Sequence, residues 1–180
     1  TTHFVIVDAA GNIASVTSSI ENGFGARLMS GGFLLNNQLT DFSFLPEEDG
    51  RAVANRVEPG KRPRSSMSPT VVLKDGKPVF ALGSPGGSNI IPYVAKTIVA
   101  LVDWKMDISR AIALPHLTNR FGTYDLEAGT TALSLAKALE ALGYKTAEKE
   151  QNSGLHGIAI LPAGIDGGAD PRREGIAVGD

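Results

Sequence analysis

Thr1-Thr2-His3-Phe4-Val5-Ile6-Val7-Asp8-Ala9-Ala10-Gly11-Asn12-Ile13-Ala14-Ser15-Val16-Thr17-Ser18-Ser19 opens the chain. Residues His3 to Asp8 and Asn12 to Ser18 alternate and are rich in β-branched residues, which predicts two strands. Asp8-Ala9-Ala10-Gly11-Asn12 between them predicts a turn. The resulting hairpin puts Thr1 at the start of one strand and Ser18-Ser19 at the end of the other. In an antiparallel pair those ends are neighbours, so Ser19 is expected close to Thr1.

The first residue also carries chemistry. A chain that starts at threonine implies cleavage from a longer precursor or a fragment boundary. After cleavage, Thr1 holds a free α-amine and a β-hydroxyl on one residue, a base and a nucleophile together. An ordinary α-amino group titrates near ~7.7–8.0, so a useful fraction is neutral at physiological pH. Most chains that begin this way have merely been trimmed or truncated, and the terminus alone does not assign catalysis.

Beyond the hairpin, Gly23, Gly25, Gly31 and Gly32 mark a glycine-rich loop, followed by a short apolar strand, Phe33 to Asn36, expected to be buried. Residues Phe44 to Ser68 lack periodicity and contain Pro46, Gly50, Pro59, Gly60 and Pro63. A loop of that length is a functional cover or a disordered segment. Strands are predicted over Thr70 to Leu73 and Pro78 to Leu82, around an Asp75-Gly76 turn. Apolar spacing predicts a buried helix over Ser88 to Trp104, with Ser88 a candidate N-cap and Trp104 a packing residue. A short helix over Ile108 to Leu114 stops at Pro115, and a third, Thr131 to Leu142, is capped by Gly143. Thr146 to Lys149 and His156 to Leu161 are further strands. Neither a repeat nor a domain boundary is visible, so an α+β single domain over residues 1–180 is expected.

The 180 residues suffice for one hydrophobic core, and 42% hydrophobic with 20% charged residues is ordinary globular composition. A net charge of −2 with both signs interspersed gives no electrostatic case for nucleic acid. The locally basic run Arg51, Arg56, Lys61, Arg62, Arg64 reads as a solvated loop. Cysteine is absent, which removes disulfides, thiol nucleophiles and thiolate metal sites. No stretch approaches the ~18 apolar residues that span a bilayer.

Three constellations could carry chemistry. Gly83-Ser84-Pro85-Gly86-Gly87-Ser88 joins a strand to a helix, where glycines permit close backbone approach and opening amides lack partners. Such amides suit an oxyanion hole, although most Gly-Gly pairs before helices are plain turns. Lys61-Arg62-Pro63-Arg64-Ser65-Ser66-Met67-Ser68-Pro69-Thr70 sets paired hydroxyls beside cations, a possible carboxylate site. Asn36-Asn37-Gln38-Leu39-Thr40-Asp41 clusters polar side chains, and Glu21 with Asp41 could hold an ammonium group. His3, His116 and His156 show no metal-ligand spacing, and no cofactor or metal is expected. Nucleophile-elbow and phosphate-loop patterns are missing.

Taken together and in order, these motifs resemble the small subunit of the γ-glutamyltranspeptidase family, within the N-terminal-nucleophile hydrolases. The resemblance rests on Thr1-Thr2-His3-Phe4, Ser18-Ser19-Ile20-Glu21, Leu34-Leu35-Asn36-Asn37-Gln38 with Asp41-Phe42, Lys61-Arg62-Pro63 with Ser65 to Thr70, Gly83 to Gly87, and Asp170-Pro171-Arg172. It implies a four-layer αββα sandwich of which this chain supplies half, completed by a large subunit cut from the same precursor immediately before Thr1. It further implies γ-glutamyl hydrolase or transferase activity on glutathione and related compounds, in a periplasmic or secreted setting, with a cytoplasmic one left open. By position, Thr1 would be the nucleophile, its amine the base, and Ser19 a hydroxyl partner. Glu21, Gln38 and Asp41 would hold the substrate's α-ammonium, Ser65 and Ser66 its α-carboxylate, and Gly86 and Gly87 the oxyanion. Glu21 and Thr40 depart from commoner residues of the family, as does Asn89. Open alternatives are a cephalosporin (glutaryl) acylase, a poly-γ-glutamate-processing enzyme, or a non-catalytic homologue. Retention of Glu21, Gln38 and Asp41 argues for glutamyl, because a glutaryl group has no ammonium.

Overall fold

The computed structural model describes residues 1–179. The chain divides into two compact units, one of Thr1 and Ser18–Ser66, the other of Thr2–Thr17 and the residues from Met67 onward. Strands β1 (Thr2–Val7) and β2 (Ile13–Ser18) pair across the expected turn. Asp8 organises that turn by accepting the Ala10 and Asn12 amides at 2.9 and 2.8 Å.

The first unit is held by turns and polar contacts more than by a core. Two-residue ladders, β3 (Met29–Ser30) with β4 (Phe33–Leu34) and β5 (Glu47–Glu48) with β6 (Arg51–Ala52), are its strands. The buried strand expected over Phe33 to Asn36 is therefore corrected: only two residues pair, and Phe33 is 74% exposed. Alternating polar residues are lacking there, so apolar content alone suggested burial that this unit has too little mass to provide. The Phe44 to Ser68 stretch is irregular apart from the β5–β6 ladder and a bridge between Ser43 and Arg56.

The second unit holds a four-stranded antiparallel sheet, ordered β13 (Gly164–Ala169), β12 (His156–Leu161), β8 (Lys77–Gly83), β7 (Thr70–Lys74). β7 (Thr70–Lys74) and β8 (Lys77–Gly83) meet at Asp75-Gly76, whose φ values of 52° and 75° make the hairpin turn that matches strand twist. Leu82 points to one face, packing with Ile90 and Val94 of helix α1 (Ile90–Val102). Gly83 points to the other, toward the β1–β2 hairpin. There the His3 imidazole lies flat against the strand: a methyl on Gly83 would sit 2.3 Å from His3 Cε1. His3 Nδ1 bonds Thr17 Oγ1 at 2.8 Å, and Ser15 Oγ donates to Leu82 O at 3.4 Å. Hairpin, sheet and helices thus stack as successive layers.

Helix α1 buries Ile90, Tyr93, Val94, Thr97, Ala100 and Leu101 at i, i+3, i+4 spacing; of the apolar residues that suggested a buried helix, Ile91, Val99 and Val102 are exposed, so only one face is covered. Its N-cap position is Asn89, and Ser88 lies inside a preceding 3₁₀ turn, Gly87–Asn89, so the Ser88 cap is corrected. The glycines draw the first turn tight before the α geometry begins. Trp104 is 58% exposed and not a core residue, because the helix ends two residues before it. α2 (Ile108–Ala113) starts where Asp107 accepts the Arg110 amide and stops before Pro115. β9 (Leu117–Asn119) and β10 (Thr123–Glu127) form a second sheet with β11 (Lys145–Lys149), in the order β11-β10-β9. The expected third helix is a 3₁₀ turn, Thr131–Leu135, running into α3 (Ala136–Ala141), with Gly143 at φ 89° ending it. β12 (His156–Leu161) matches its expected bounds. β13 (Gly164–Ala169) was not anticipated, since Gly-Ile-Asp-Gly-Gly-Ala reads as a turn. Its glycines serve packing: a methyl on Gly168 would meet Ile112 Cδ1 at 2.8 Å. No helix among the described residues is long and apolar enough to cross a membrane.

Under α2 lies a buried polar cluster. Arg172 forks onto Glu127, with Nε at 2.5 Å from Oε1 and Nη2 at 2.9 Å from Oε2, and donates to the Ile112, Ala113 and Leu114 carbonyls. Asp170 Oδ1 accepts the Arg172 amide and Nη1 at 3.0 and 3.1 Å, and its Oδ2 accepts from Ser153 Oγ at 2.5 Å. His116 Nε2 is 2.7 Å from Ser153 Oγ. The serine proton goes to the carboxylate, so His116 must be the Nε2–H tautomer. Burial opposes ionisation of Asp170, but the Ser153 hydroxyl, the Arg172 and Leu155 amides and the guanidinium hold its carboxyl below the usual range. Burial, with the nearby Lys96 and Arg172 charges, pushes His116 down to about 2. Burial, then His156, lowers His3 to about 4.

Two outcomes follow from this packing. Gly83→Ala forces a methyl into the His3 ring and should destabilise the protein by about 1–3 kcal/mol, read as a lowered thermal midpoint. Acid should also unfold it: His3 and His116 stay neutral when folded but take a proton near ~6.5 when unfolded. Each therefore removes up to about 1.4 kcal/mol per pH unit as pH falls from 6.5 to 4. Urea midpoints across that range should drop, with a shallower slope in His116→Leu; an unchanged slope would mean that His116 contributes none of the acid sensitivity.

Candidate functional site

The hairpin brings its two ends together as expected. Thr1 Oγ1 lies 2.9 Å from Ser19 Oγ, both in the first unit, and Thr1 is exposed. Ser19 Oγ also accepts the Glu21 amide at 2.9 Å. A hydroxyl has one proton and two lone pairs, so Ser19 can hold that amide and still exchange a hydrogen bond with Thr1. A side-chain oxygen fixed in this way orients the threonine hydroxyl.

Glu21 adopts φ 70°, a left-handed conformation uncommon outside glycine. Asn37 helps keep it there: its Nδ2 donates to Glu21 Oε2 at 2.8 Å, its Oδ1 accepts the Asn22 amide at 3.1 Å, and its own amide donates to Ile20 O at 3.2 Å. Strained backbone maintained by surrounding bonds is a feature of functional sites. Gln38 and Asp41 begin and end a 3₁₀ turn, and Gln38 Nε2 donates to Asp41 Oδ2 at 2.5 Å. That orientation leaves Gln38 Oε1 as an acceptor beside a carboxylate.

Asn55 links the rest of the unit. Its Nδ2 donates to Asp41 O at 2.7 Å and its Oδ1 accepts the Arg64 amide at 2.9 Å, joining the Gln38–Asp41 turn to the segment that leads into Ser65 and Ser66. Ser65 is exposed and Ser66 half-buried. Glu58 engages Arg56 and, at 2.5 Å, Lys61, so two of the five cations in the basic run already have a carboxylate. Asn37 and Asn55 are the positioning residues that sequence reasoning passed over. Asn37 lay within the polar cluster already singled out; Asn55 sits in aperiodic sequence and carries no signal of its own.

Gly86 and Gly87 belong to the second unit, where they end the β8–α1 connection. The φ of Gly86, 141°, is open to glycine alone, and that of Gly87, 56°, favours it. A methyl on Gly87 would meet nothing within 4 Å, so open space borders that backbone. Gly87 opens the 3₁₀ turn that runs into α1, and amides in a helix's first turn lack intrahelical acceptors. They can receive a negatively charged oxygen.

The profile of a family described as Gamma-glutamyltranspeptidase matches residues 1–180. A glutathione hydrolase proenzyme of Bacillus subtilis is 40% identical over 99% of the chain, and an acylase ACY 1 proenzyme of a Pseudomonas strain is 36% identical over 99%. The chain spans only 30% and 32% of their lengths. A solved mutant γ-glutamyltranspeptidase of Helicobacter pylori superposes with a TM-score of 0.87 at 35% identity, covering 96% of this chain and all of that one. The α+β fold anticipated from strands at both ends around a helical middle is shared with that solved structure. With a profile match along its whole length and that superposition, the chain belongs to the γ-glutamyltranspeptidase family of N-terminal-nucleophile hydrolases.

Proposed function

We propose that the chain is the small, catalytic subunit of an enzyme that hydrolyses or transfers the γ-glutamyl group of glutathione and similar compounds. The observation that carries this reading is the 2.9 Å bond between Thr1 Oγ1 and Ser19 Oγ, with Ser19 in turn tied to Glu21. A precursor cuts itself before Thr1. The freed amine then takes the hydroxyl proton as Oγ1 attacks the substrate's γ-carbonyl carbon. The tetrahedral oxyanion is received by the Gly86 and Gly87 amides. Its collapse breaks the C–N bond, passes the proton to the leaving amine and leaves a γ-glutamyl ester on Thr1. Water, or the amine of an acceptor amino acid or peptide, attacks that ester and regenerates Thr1.

A γ-glutamyl group is zwitterionic at its far end. Glu21, Gln38 and Asp41 hold the α-ammonium through oxygen acceptors, and Ser65 and Ser66 hold the α-carboxylate. Binding there positions the carbonyl for attack. A large subunit from the same precursor completes the αββα sandwich. Support comes from the exposed apolar side chains Phe24, Leu28, Met29, Phe33, Phe44 and Leu45, which a free surface tolerates poorly. The reading carries a periplasmic or secreted setting for the processed enzyme.

Acylase action on a glutaryl substrate is the second reading, favoured by the acylase relative. Two substitutions test the shared mechanism and the choice of substrate in turn. Thr1→Ala in the full precursor should abolish both self-cleavage and turnover of a γ-glutamyl anilide, followed by gel and by anilide release; a variant that still processes removes Thr1 from the mechanism. Glu21→Ala should raise KM for the γ-glutamyl anilide about 10- to 100-fold, the loss of one charge-assisted bond, and leave a glutaryl anilide nearly unaffected. Equal losses on the two substrates would mean that Glu21 does not read the ammonium.

A further inference from the structure

The loop Gly83 to Gly87 is gripped from two sides by residues with no part in the chemistry above. On one side stands the Tyr93 ring. A methyl in place of the Gly86 hydrogen would meet Tyr93 Cε2 at 2.7 Å and Cδ2 at 3.1 Å, so the ring lies flush against the backbone. Tyr93 is 1% exposed and rests on His116, with ring centroids 4.1 Å apart. On the other side stands Gly154, whose amide donates to Ser84 Oγ at 3.2 Å while Ser84 Oγ donates to Pro85 O at 2.6 Å. A methyl on Gly154 would strike Pro85 Cγ at 2.7 Å.

The two grips share one anchor. Ser153, adjacent to Gly154, is fully buried and lies between His116 Nε2 at 2.7 Å and Asp170 Oδ2 at 2.5 Å. Tyr93, His116, Ser153 and Gly154 therefore form a buried arc that begins on Gly86 and returns to Ser84-Pro85. An oxyanion hole works only when its amides are held before the charge develops, and a displacement of about 1 Å can cost ~100-fold in rate. Gly86, with φ 141° and no side chain, has little of its own to resist such displacement.

We propose that Tyr93, His116 and Ser153 are positioning residues that fix the Gly86-Gly87 amides through this arc. The proposal rests on the catalytic reading above and adds the residues that set its electrostatic geometry. The arc approaches the loop from within the second unit and is built of residues other than those assigned to the ammonium and the carboxylate. Its loss should therefore lower kcat and spare KM.

The test uses the full precursor, with kinetics on protein processed to completion and assayed with γ-glutamyl anilide. Tyr93→Phe keeps the ring and should hold kcat within about twofold, whereas Tyr93→Leu should lower kcat about 10- to 100-fold with KM within about twofold. Ser153→Ala, which contacts neither Gly86 nor substrate, should lower kcat in the same direction. If Tyr93→Leu does not process, amide exchange over residues 83–90 of the unprocessed chain gives the same answer, and should quicken relative to Tyr93→Phe. Unchanged kcat in both Tyr93→Leu and Ser153→Ala, a Tyr93→Phe variant as impaired as Tyr93→Leu, or unaltered exchange would overturn the arc. The underlying reading fails separately, through turnover by the Thr1→Ala precursor, whatever the Tyr93 variants do.

Discussion

Arg172, its side chain only 12% exposed, is held between Glu127 and Asp170, and much of the second unit is arranged around that buried cation. Removing a guanidinium from water costs several kcal/mol, recovered only if both carboxylates and nearly every N–H find good geometry. Meeting that demand fixes the C-terminal carbonyls of α2, the end of β10 and the turn after β13 to one another. Well-packed apolar residues in place of such a buried pair are often no less stable. What the ionic version adds is register: a one-residue slip of β13 would take Asp170 away from both Arg172 and Ser153.

The first unit relies on a different constraint. Phe42 is its one buried large apolar residue among those described, so asparagine amides take over the work of packing. Asn37 spans residues 20 to 22, and Asn55 joins residues 41 and 64. Each amide both donates and accepts, so each crosslinks two chain segments that have no hydrophobic reason to meet. Such a network keeps polar groups presented to solvent but supplies little free energy of its own. The apolar side chains left exposed around it are consistent with further cover.

Much of the site was legible because its chemistry is local. The hairpin follows from alternation and a turn, and the Thr1–Ser19 contact follows from the hairpin. Gly86 and Gly87 announce themselves as glycines at a strand–helix junction. Helix α1 follows from its apolar stripe. The β13 strand was hidden because a glycine such as Gly168 answers to Ile108 and Ile112 pressing from α2, a long-range need that local propensity inverts. The supposed burial of Phe33 failed for the opposite reason: an apolar residue states a preference, and only the surrounding mass decides whether it is met.

Residue types and their short-range spacing thus determined which groups are available: a threonine with a hydroxyl partner, acids beside a glutamine, paired serines, and amides at a helix start. Only the tertiary structure decided how they are held. The Glu21 backbone in a left-handed turn, the asparagine crosslinks, and the arc from Gly86 through Tyr93 and His116 to Ser153 all join residues far apart in sequence. Spacing along a chain encodes neighbours within a few residues. Contacts across 15 to 70 residues depend on how layers stack and on where buried polar groups can find partners, and that is settled only once the core has closed.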